Sequence, residues 1–227
     1  HREMYGLPRK FNIAFDGGGR VPVLEDTNDI GFVATEVTGG EGFEPGIYFR
    51  LQLGGITGHL DFAFETGILL KPEECVPVAG AVVRAFAIHG DRTNRQKARL
   101  KYVIDRMGRD AFVAEVEKEH GAKLRRAAGA QVTARVLADK HGHIGVHAQR
   151  QAGLNYLGLV LPVGRMTAGQ MRGVAEIAQR FGSGTIRLTV WQNLLISDVA
   201  DRDVGVCIAA IAALGLRVEA SAIRRGL

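Results

Sequence analysis

The chain has 227 residues, of which 46% are hydrophobic and 23% charged, and its formal net charge is +5. This composition is typical of a soluble globular protein with one large domain or two small ones. No apolar stretch approaches the roughly 20 residues that span a bilayer, and the first residues lack the apolar core of a signal peptide. We therefore expect a cytoplasmic protein, whose positive charge favours an anionic partner.

The first predicted element lies within the segment LPRKFNIAFDGGGR, residues 7–20. Its proline disfavours helical angles for the residue before it, and the apolar run 11–15 predicts a buried strand. Asp16 and the three glycines after it end the strand in a turn. Arg9 and Lys10 precede the strand. Two cations at the mouth of a strand can hold an anion, although a solvated strand end is the simpler interpretation.

Two more strands are predicted at 29–37 and 46–53, and a glycine-rich turn follows the second one directly. Glycines at a strand end let backbone N–H groups approach a ligand closely, so Gly54, Gly55 and Thr57 are candidate binding residues. The turn lacks the spacing of a dinucleotide-binding fingerprint, and an ordinary turn is the alternative.

Two helices are predicted next. A first-turn proline followed by two glutamates predicts a helix over 72–89. A second predicted helix, 92–107, places Arg92, Arg95 and Arg99 along one face at spacings i, i+3 and i+7. A row of guanidinium groups offers planar, bidentate donors to carboxylates, whereas a solvated surface helix is the alternative.

The rest of the chain predicts a short helix at 112–120, an alanine- and arginine-rich connection at 123–142, and a β-α-β-α unit over 143–227. Thr167 is a suitable N-cap for the first helix of that unit. The predicted strands of the unit are 145–149, 154–163 and 185–196, and its predicted helices are 168–181 and 201–214.

Five segments occur in the order that they have in one enzyme family. They are LPRKFN at 7–12, NDIGFVA at 28–34, LGGITGH at 53–59, GDRTNRQKARLKYVIDRMG at 90–108 and GTIRLTVWQNLLISDV at 184–199. On these segments the chain resembles the siroheme-dependent nitrite and sulfite reductases, with its nearest likeness to the bacterial ferredoxin–nitrite reductases. The resemblance covers nearly the whole chain, which looks like an internal piece of such an enzyme.

The resemblance implies an α+β fold. Residues 1–122 would be the siroheme/Fe–S reductase-type mixed α/β domain, or part of it, and 123–142 would be a linker. Residues 143–227 would be the second ferredoxin-like repeat, a β-α-β-α half-repeat. The first copy of that repeat precedes the LPRKFN segment in the family, so we expect it outside this chain.

The resemblance also implies two cofactors, siroheme and a 4Fe–4S cluster. Such a cluster needs four thiolates, whereas this chain has only Cys75 and Cys207, each within an apolar helical pattern typical of buried hydrophobes. We therefore expect the cluster cysteines beyond Leu227 and the isolated chain to be inactive. In the complete protein the implied activity is assimilatory reduction of nitrite to ammonia, with reduced ferredoxin as the electron donor and without a nucleic-acid or membrane partner.

Residue roles follow from the same resemblance. Lys10 would stabilise the substrate anion, and Asn12 would favour nitrite, since sulfite-reducing members generally carry lysine at its position. The residues expected to bind siroheme are Arg9, Gly54, Gly55, Thr57, Arg92, Arg95 and Arg99. A second motif lies in the β-α-β-α unit and is formed by Arg187, Thr189, Gln192 and Asn193. In the family this motif faces away from siroheme, so we expect its role here to be structural.

Three alternatives stay open: a sulfite reductase of the same family, a cobalamin-pathway precorrin synthase that shares the fold, and an inert isolated domain. A nucleic-acid module would also suit the positive charge. It is disfavoured because the basic residues lack the interleaved aromatic side chains on which bases stack.

Overall fold

The computed structural model of the chain describes residues 5–59, 61–135 and 139–221. The chain divides into two compact units, 1–136 and 137–227. Each unit combines helices with a largely antiparallel sheet, which confirms the predicted α+β class. Among the described residues, no helix is long and apolar enough to cross a membrane.

The first unit is built on a five-stranded sheet. Its strands β2 (Ile30–Gly40), β3 (Gly46–Leu53) and β4 (Phe64–Leu70) are antiparallel neighbours. Strand β1 (Ile13–Asp16) runs parallel to the first part of β2, and β5 (Ala130–Val132) pairs antiparallel with its last part. Both therefore lie on the same edge of β2, opposite β3. The sequence did not predict β4 or β5.

Three helices share one hydrophobic core with this sheet: α1 (Pro72–His89), α2 (Leu100–Met107) and α3 (Arg109–His120). Helix α1 has its predicted bounds. Its first turn is closed by the carboxylate of Glu74, which accepts a hydrogen bond of 2.6 Å from the backbone N–H of Lys71. The core between sheet and helices contains Ile30, Phe32, Leu51, Leu53, Val78, Val82, Phe86 and Phe112.

The predicted helix 92–107 is wrong in its first half. Residues 95–97 form a short 3-10 turn, and α2 begins only after Arg99, whose backbone is extended. The cause is local, because the side-chain oxygens of Asp91 and Asn94 accept hydrogen bonds from nearby backbone N–H groups and compete with helix formation. Arg92, Arg95 and Arg99 therefore do not share a helical face.

Part of the predicted linker belongs to the first unit. Leu124 is buried in the core, and β5 extends the sheet. Arg135 makes salt bridges to Asp16 (Nη2 to Oδ2, 2.9 Å) and Glu25 (Nη1 to Oε1, 3.1 Å). Residues 123–135 are thus attached to the sheet, while the division into domains at 122 and 143 stays a prediction.

The second unit is a four-stranded antiparallel sheet in the order β6-β7-β9-β8, accompanied by two helices. As predicted, Thr167 caps the first helix, accepting a bond of 3.2 Å from the N–H of Gln170. The predicted strand 185–196 is instead a hairpin. The element bounds are β6 (Gly145–Ala148), β7 (Leu154–Leu159), α4 (Ala168–Phe181), β8 (Ile186–Leu188), β9 (Leu194–Ala200) and α5 (Val204–Ala213).

Candidate functional site

A cleft of about 650 Å³ opens on the first unit. Three segments line it: the residues just before β1, the turn after β3, and the segment that leads into α2. Five of its ten lining residues are cationic, and none is acidic. The lining residues are Arg9, Lys10, Ile56, Thr57, Gly58, Arg95, Gln96, Lys97, Arg99 and Tyr102.

Four of these five cations have no anionic partner among the residues that the structure describes. Within the described ranges, Arg9, Lys10, Arg95 and Lys97 form no salt bridge, whereas Arg99 is paired with an aspartate. Uncompensated cations that converge on one concave surface attract anions and favour ligands that carry several carboxylates.

Asp29, directly before β2, is the partner of Arg99. Its Oδ2 accepts a bond of 2.8 Å from Nη2 of Arg99, and its Oδ1 accepts one of 3.2 Å from Nε. The same Oδ2 also accepts the backbone N–H of Asn12 at 2.8 Å. Burial raises the pKa of Asp29, while the Arg99 guanidinium and the Asn12 N–H act in the opposite direction. One buried carboxylate thus holds two segments of the cleft.

The glycine turn is held by its backbone N–H groups. The N–H of Gly54 donates to the carbonyl of Asp29 at 2.9 Å, and that of Gly55 donates to Asn28 at the same distance. A Cβ at position 55 would lie 2.2 Å from the carbonyl oxygen of Asp26, so only glycine allows this close approach. Both N–H groups are therefore used within the protein, contrary to the sequence argument that they approach a ligand. Thr57 does line the cleft.

The two predicted catalytic residues lie before β1, which begins only at Ile13. Lys10 is exposed and lines the cleft. Asn12 is half-buried, is not a lining residue, and is fixed through its backbone, since its carbonyl accepts the N–H of Ile30 at 3.1 Å. Because neither residue belongs to β1, strand alternation does not place their side chains on one face.

Arg92 lies outside the cleft. Its Nη1 donates to the carbonyl of Ala87 at 2.9 Å, and its Nη2 donates to that of Gly6 at 3.2 Å. It thereby connects the end of α1 to the segment that carries Arg9 and Lys10. Of the predicted residues, the cleft unites Arg9, Lys10, Thr57, Arg95 and Arg99, and it does not include Asn12, Gly54, Gly55 and Arg92.

The sequence analysis missed Asp29, Lys97 and Tyr102 as residues of the site. Lys97 and Tyr102 line the cleft from the segment already recognised as basic. Asp29 had a weak signal, because it is an acidic residue immediately before a run of buried strand residues. A buried carboxylate requires a cation or several hydrogen-bond donors, so its position alone predicted partners without naming them.

The two cysteines are buried in separate cores, Cys75 in the first unit and Cys207 in the second. Burial raises the pKa of each thiol to about 11, which is typical of structural rather than metal-binding cysteines. The part of the chain that the structure describes contains no group of three or more His, Cys, Asp or Glu side chains placed to hold a metal ion.

The motif of Arg187, Thr189, Gln192 and Asn193 lies in the β8–β9 hairpin, and two of its residues stabilise that hairpin by hydrogen bonds. The Oγ1 of Thr189 accepts the N–H of Asn193 at 3.1 Å, and the Oδ1 of Asn193 accepts the N–H of Leu161 at 2.8 Å. The amide of Asn193 also contacts Nδ1 of the buried His143 at 3.0 Å, and that imidazole stacks on Trp191. These contacts agree with the expected structural role of Thr189 and Asn193.

Residues 1–124 match the model of the nitrite and sulphite reductase 4Fe-4S domain, and residues 147–214 match the nitrite/sulfite reductase ferredoxin-like half domain. The ferredoxin–nitrite reductase of Leptolyngbya laminosa is 40% identical over 186 residues, which are 81% of this chain and 34% of that protein. The chloroplastic enzyme of Spinacia oleracea is 35% identical over 85% of this chain and 32% of its own length.

A solved structure has the same fold as this chain. The NirA protein of Mycobacterium tuberculosis superposes with a TM-score of 0.82 at 31% identity, over 96% of this chain and 38% of that one. The chain spans about a third of the length of the curated relatives it matches. With family matches over both units and a shared fold, the chain belongs to the nitrite and sulphite reductase family.

Proposed function

We propose that this chain is the part of a ferredoxin-dependent nitrite reductase that binds siroheme carboxylates and the substrate anion. The observation that carries the proposal is the cleft with its four uncompensated cations, Arg9, Lys10, Arg95 and Lys97. The names of the similar proteins, ferredoxin–nitrite reductases, support nitrite as the substrate and ferredoxin as the donor.

The cleft residues fit siroheme, which carries eight carboxylate arms. Arg9, Arg95 and Lys97 offer charge-assisted hydrogen bonds to carboxylates, and Thr57 offers a hydroxyl group. Arg99 lines the same surface. Its Nε and its Nη2 each donate one hydrogen bond to Asp29, so the remaining N–H donors of the guanidinium can bind a carboxylate of the cofactor. When bound, siroheme supplies the redox chemistry at its iron.

Lys10 is the residue best placed to act on the substrate anion. Its exposed ammonium group belongs to the cleft and donates up to three hydrogen bonds to an oxyanion. As an acid, an ammonium group can also pass a proton to an oxygen that leaves as water. We assign to Lys10 the binding of nitrite and the stabilisation of the departing oxygen.

The cysteines of this chain do not fit a 4Fe–4S cluster, since both are buried in cores with raised pKa values. We infer that the cluster ligands of the complete protein lie outside these 227 residues. Residues 1–122 would then be part of the siroheme domain and 143–227 the second ferredoxin-like repeat, a division supported by matches over 1–124 and 147–214. A cytoplasmic location stays a prediction.

Replacing Lys10 with methionine in the complete protein tests the proposal. We expect kcat for nitrite to fall about 10²–10³-fold, because a group that stabilises developing charge is lost. Turnover is measured with reduced ferredoxin, normalised to bound siroheme. Lys118→Met is the matched control, because Lys118 lies on the exposed side of α3 and, among the described residues, forms its salt bridge with Glu115. Equal turnover in the Lys10 and Lys118 variants would contradict the assignment.

Asn12→Lys tests the choice of substrate. Asn12 does not line the cleft, but it lies two residues after Lys10, and a lysine side chain is longer. Sulfite carries up to two negative charges and nitrite one, so an ammonium group brought nearer to the cleft in this way should shift the ratio of nitrite to sulfite turnover toward sulfite. The backbone contacts of Asn12 are retained by any L residue, which leaves the segment in place. The ratio of kcat/KM values for the two anions is the measurement. An unchanged ratio would show that Asn12 does not discriminate between the two anions, and a wild-type protein that prefers sulfite would favour the sulfite reductase alternative.

A further inference from the structure

We propose that Asp29 is a positioning residue that holds the two cationic walls of the cleft in register. The first wall is the segment 9–12, and the second is the segment 95–99. The inference concerns how the site is assembled, and it rests on the proposed function only for its effect on nitrite. Asp29 itself is 1% exposed, so it acts through the residues that it binds.

The contacts of Asp29 reach both walls at once. Its Oδ2 accepts the N–H of Asn12, two residues after Lys10, and also binds Nη2 of Arg99, each at 2.8 Å. These partners are 17 and 70 residues away along the chain, so the carboxylate joins segments that local structure does not connect. Its backbone carbonyl fixes the glycine turn through Gly54, the third side of the cleft.

An asparagine cannot replace the three hydrogen bonds that the Asp29 carboxylate accepts. Asp29 accepts three hydrogen bonds and donates none, as an ionised carboxylate does. Asparagine at this position has one carbonyl oxygen, and in either orientation its NH2 group faces a donor of the Arg99 guanidinium. The contacts that remain are neutral and therefore weaker than those to a carboxylate. Asp29→Asn should therefore loosen both walls while keeping the size of the side chain.

Charge and position predict opposite effects of this substitution on anion binding. Removing the charge of Asp29 leaves Arg99 uncompensated and makes the cleft more positive, which alone would tighten the binding of an anion. Loosening the segments that carry Lys10 and Arg95 would instead weaken binding, because the donors would no longer be preorganised. The sign of the change thus distinguishes a positioning residue from a residue that only tunes charge.

The first experiment is hydrogen exchange on the 227-residue chain. In Asp29→Asn we expect exchange to accelerate about tenfold or more in peptides covering 7–13 and 94–99, with β3 still protected, because a lost charged hydrogen bond changes local opening by about that factor. Asp105→Asn is the matched control. It removes the same charge from an exposed residue that pairs with Lys101, and among the described residues Asp105 forms no hydrogen bond or salt bridge with either wall. It should leave both peptides unchanged.

Two results would overturn the inference: unchanged exchange in both walls, or acceleration spread evenly over β2, β3 and α1, which indicates general destabilisation. Arg99→Lys provides a second variant if Asp29→Asn does not fold. It breaks the bidentate pair but leaves Asp29 to bind Asn12, so exchange should accelerate in 94–99 and not in 7–13. Equal acceleration of both segments in Arg99→Lys would contradict separate anchoring by Asp29.

The second experiment uses the complete siroheme-loaded protein and nitrite as the probe. Nitrite binding is followed by the change in the siroheme spectrum, normalised to the siroheme that each protein holds. We expect the dissociation constant of nitrite to rise about tenfold in Asp29→Asn. Tighter binding would show that Asp29 acts only through its charge, and an unchanged constant would show that the walls do not need it. A wild-type protein that binds no siroheme would refute the proposed function, while the exchange experiment would still decide the role of Asp29.

Discussion

Arg99→Met is expected to destabilise the first unit by about 3–5 kcal/mol at neutral pH, since it leaves the buried carboxylate of Asp29 without its cation. The Arg99 side chain is only 11% exposed, so solvent cannot replace the lost bonds fully. In the complete protein we also expect less bound siroheme. Urea unfolding and siroheme absorbance per protein are the two measurements.

The dependence on pH follows from Asp29. Burial raises the pKa of Asp29, and the bonds from Arg99 oppose this, so Arg99→Met should raise it further. A carboxyl group with a raised pKa in the folded protein contributes stability at low pH and loses it as the pH rises through that pKa. The difference in unfolding free energy between variant and wild type should therefore shrink as the pH falls below neutrality.

The double variant Asp29→Asn/Arg99→Met separates the two roles of Arg99. It removes both charges, so most of the lost stability should return, as is observed when both members of a buried pair are replaced. Asp29→Asn alone is the reference, because it also loosens the cleft. Siroheme content in the double variant should fall below that of Asp29→Asn if Arg99 also binds the cofactor, and an equal content would show that Arg99 has only a structural role.

Arg135→Met is expected to destabilise the first unit by about 3 kcal/mol, because it leaves the buried carboxylates of Asp16 and Glu25 without their shared guanidinium. The estimate is at the low end of such effects because the side chain of Arg135 is 27% exposed. Burial raises the pKa of Glu25, Asp16 raises it further, and Arg135 lowers it. The destabilisation should therefore grow as the pH rises through the pKa of Glu25.

Unfolding in urea between pH 4.5 and 8 measures the effect of Arg135→Met. Arg50→Met is the control, since Arg50 pairs with one half-exposed acid, Glu65, and exposed pairs contribute about 1 kcal/mol or less. Adding Glu25→Gln to Arg135→Met should restore part of the stability. A loss equal to that of Arg50→Met at every pH would show that the pair with Arg135 is unimportant.

The sequence predicted the elements whose signals are local. The helix 72–89 was found because a first-turn proline, two glutamates and a buried run all indicate the same structure. The helix 92–107 failed because the side chains of Asp91 and Asn94 bind the backbone and replace the first turns. The strand 185–196 failed for a similar reason, since the bonds of Thr189 close a turn in which Gln192 has a φ of 60°.

The candidate site divides in the same way. Arg9, Lys10, Thr57, Arg95 and Arg99 were found from short motifs, and all of them line one cleft. Asp29 could not be assigned, because both of its side-chain partners are distant in sequence and only the fold brings them to it. The prediction that Arg92, Arg95 and Arg99 share one face was wrong, because it assumed a continuous helix over these residues.

The strand β5 and Arg135 bear on where this fold can be cut. The family match to the first unit ends at residue 124, before either of them. A fragment that stopped there would leave the last part of β2 as an unpaired edge, which is a template for aggregation, and two buried acids without a counterion. The boundary that homology recognises and the boundary of a self-sufficient fold are therefore different, and residues 125–135 separate them.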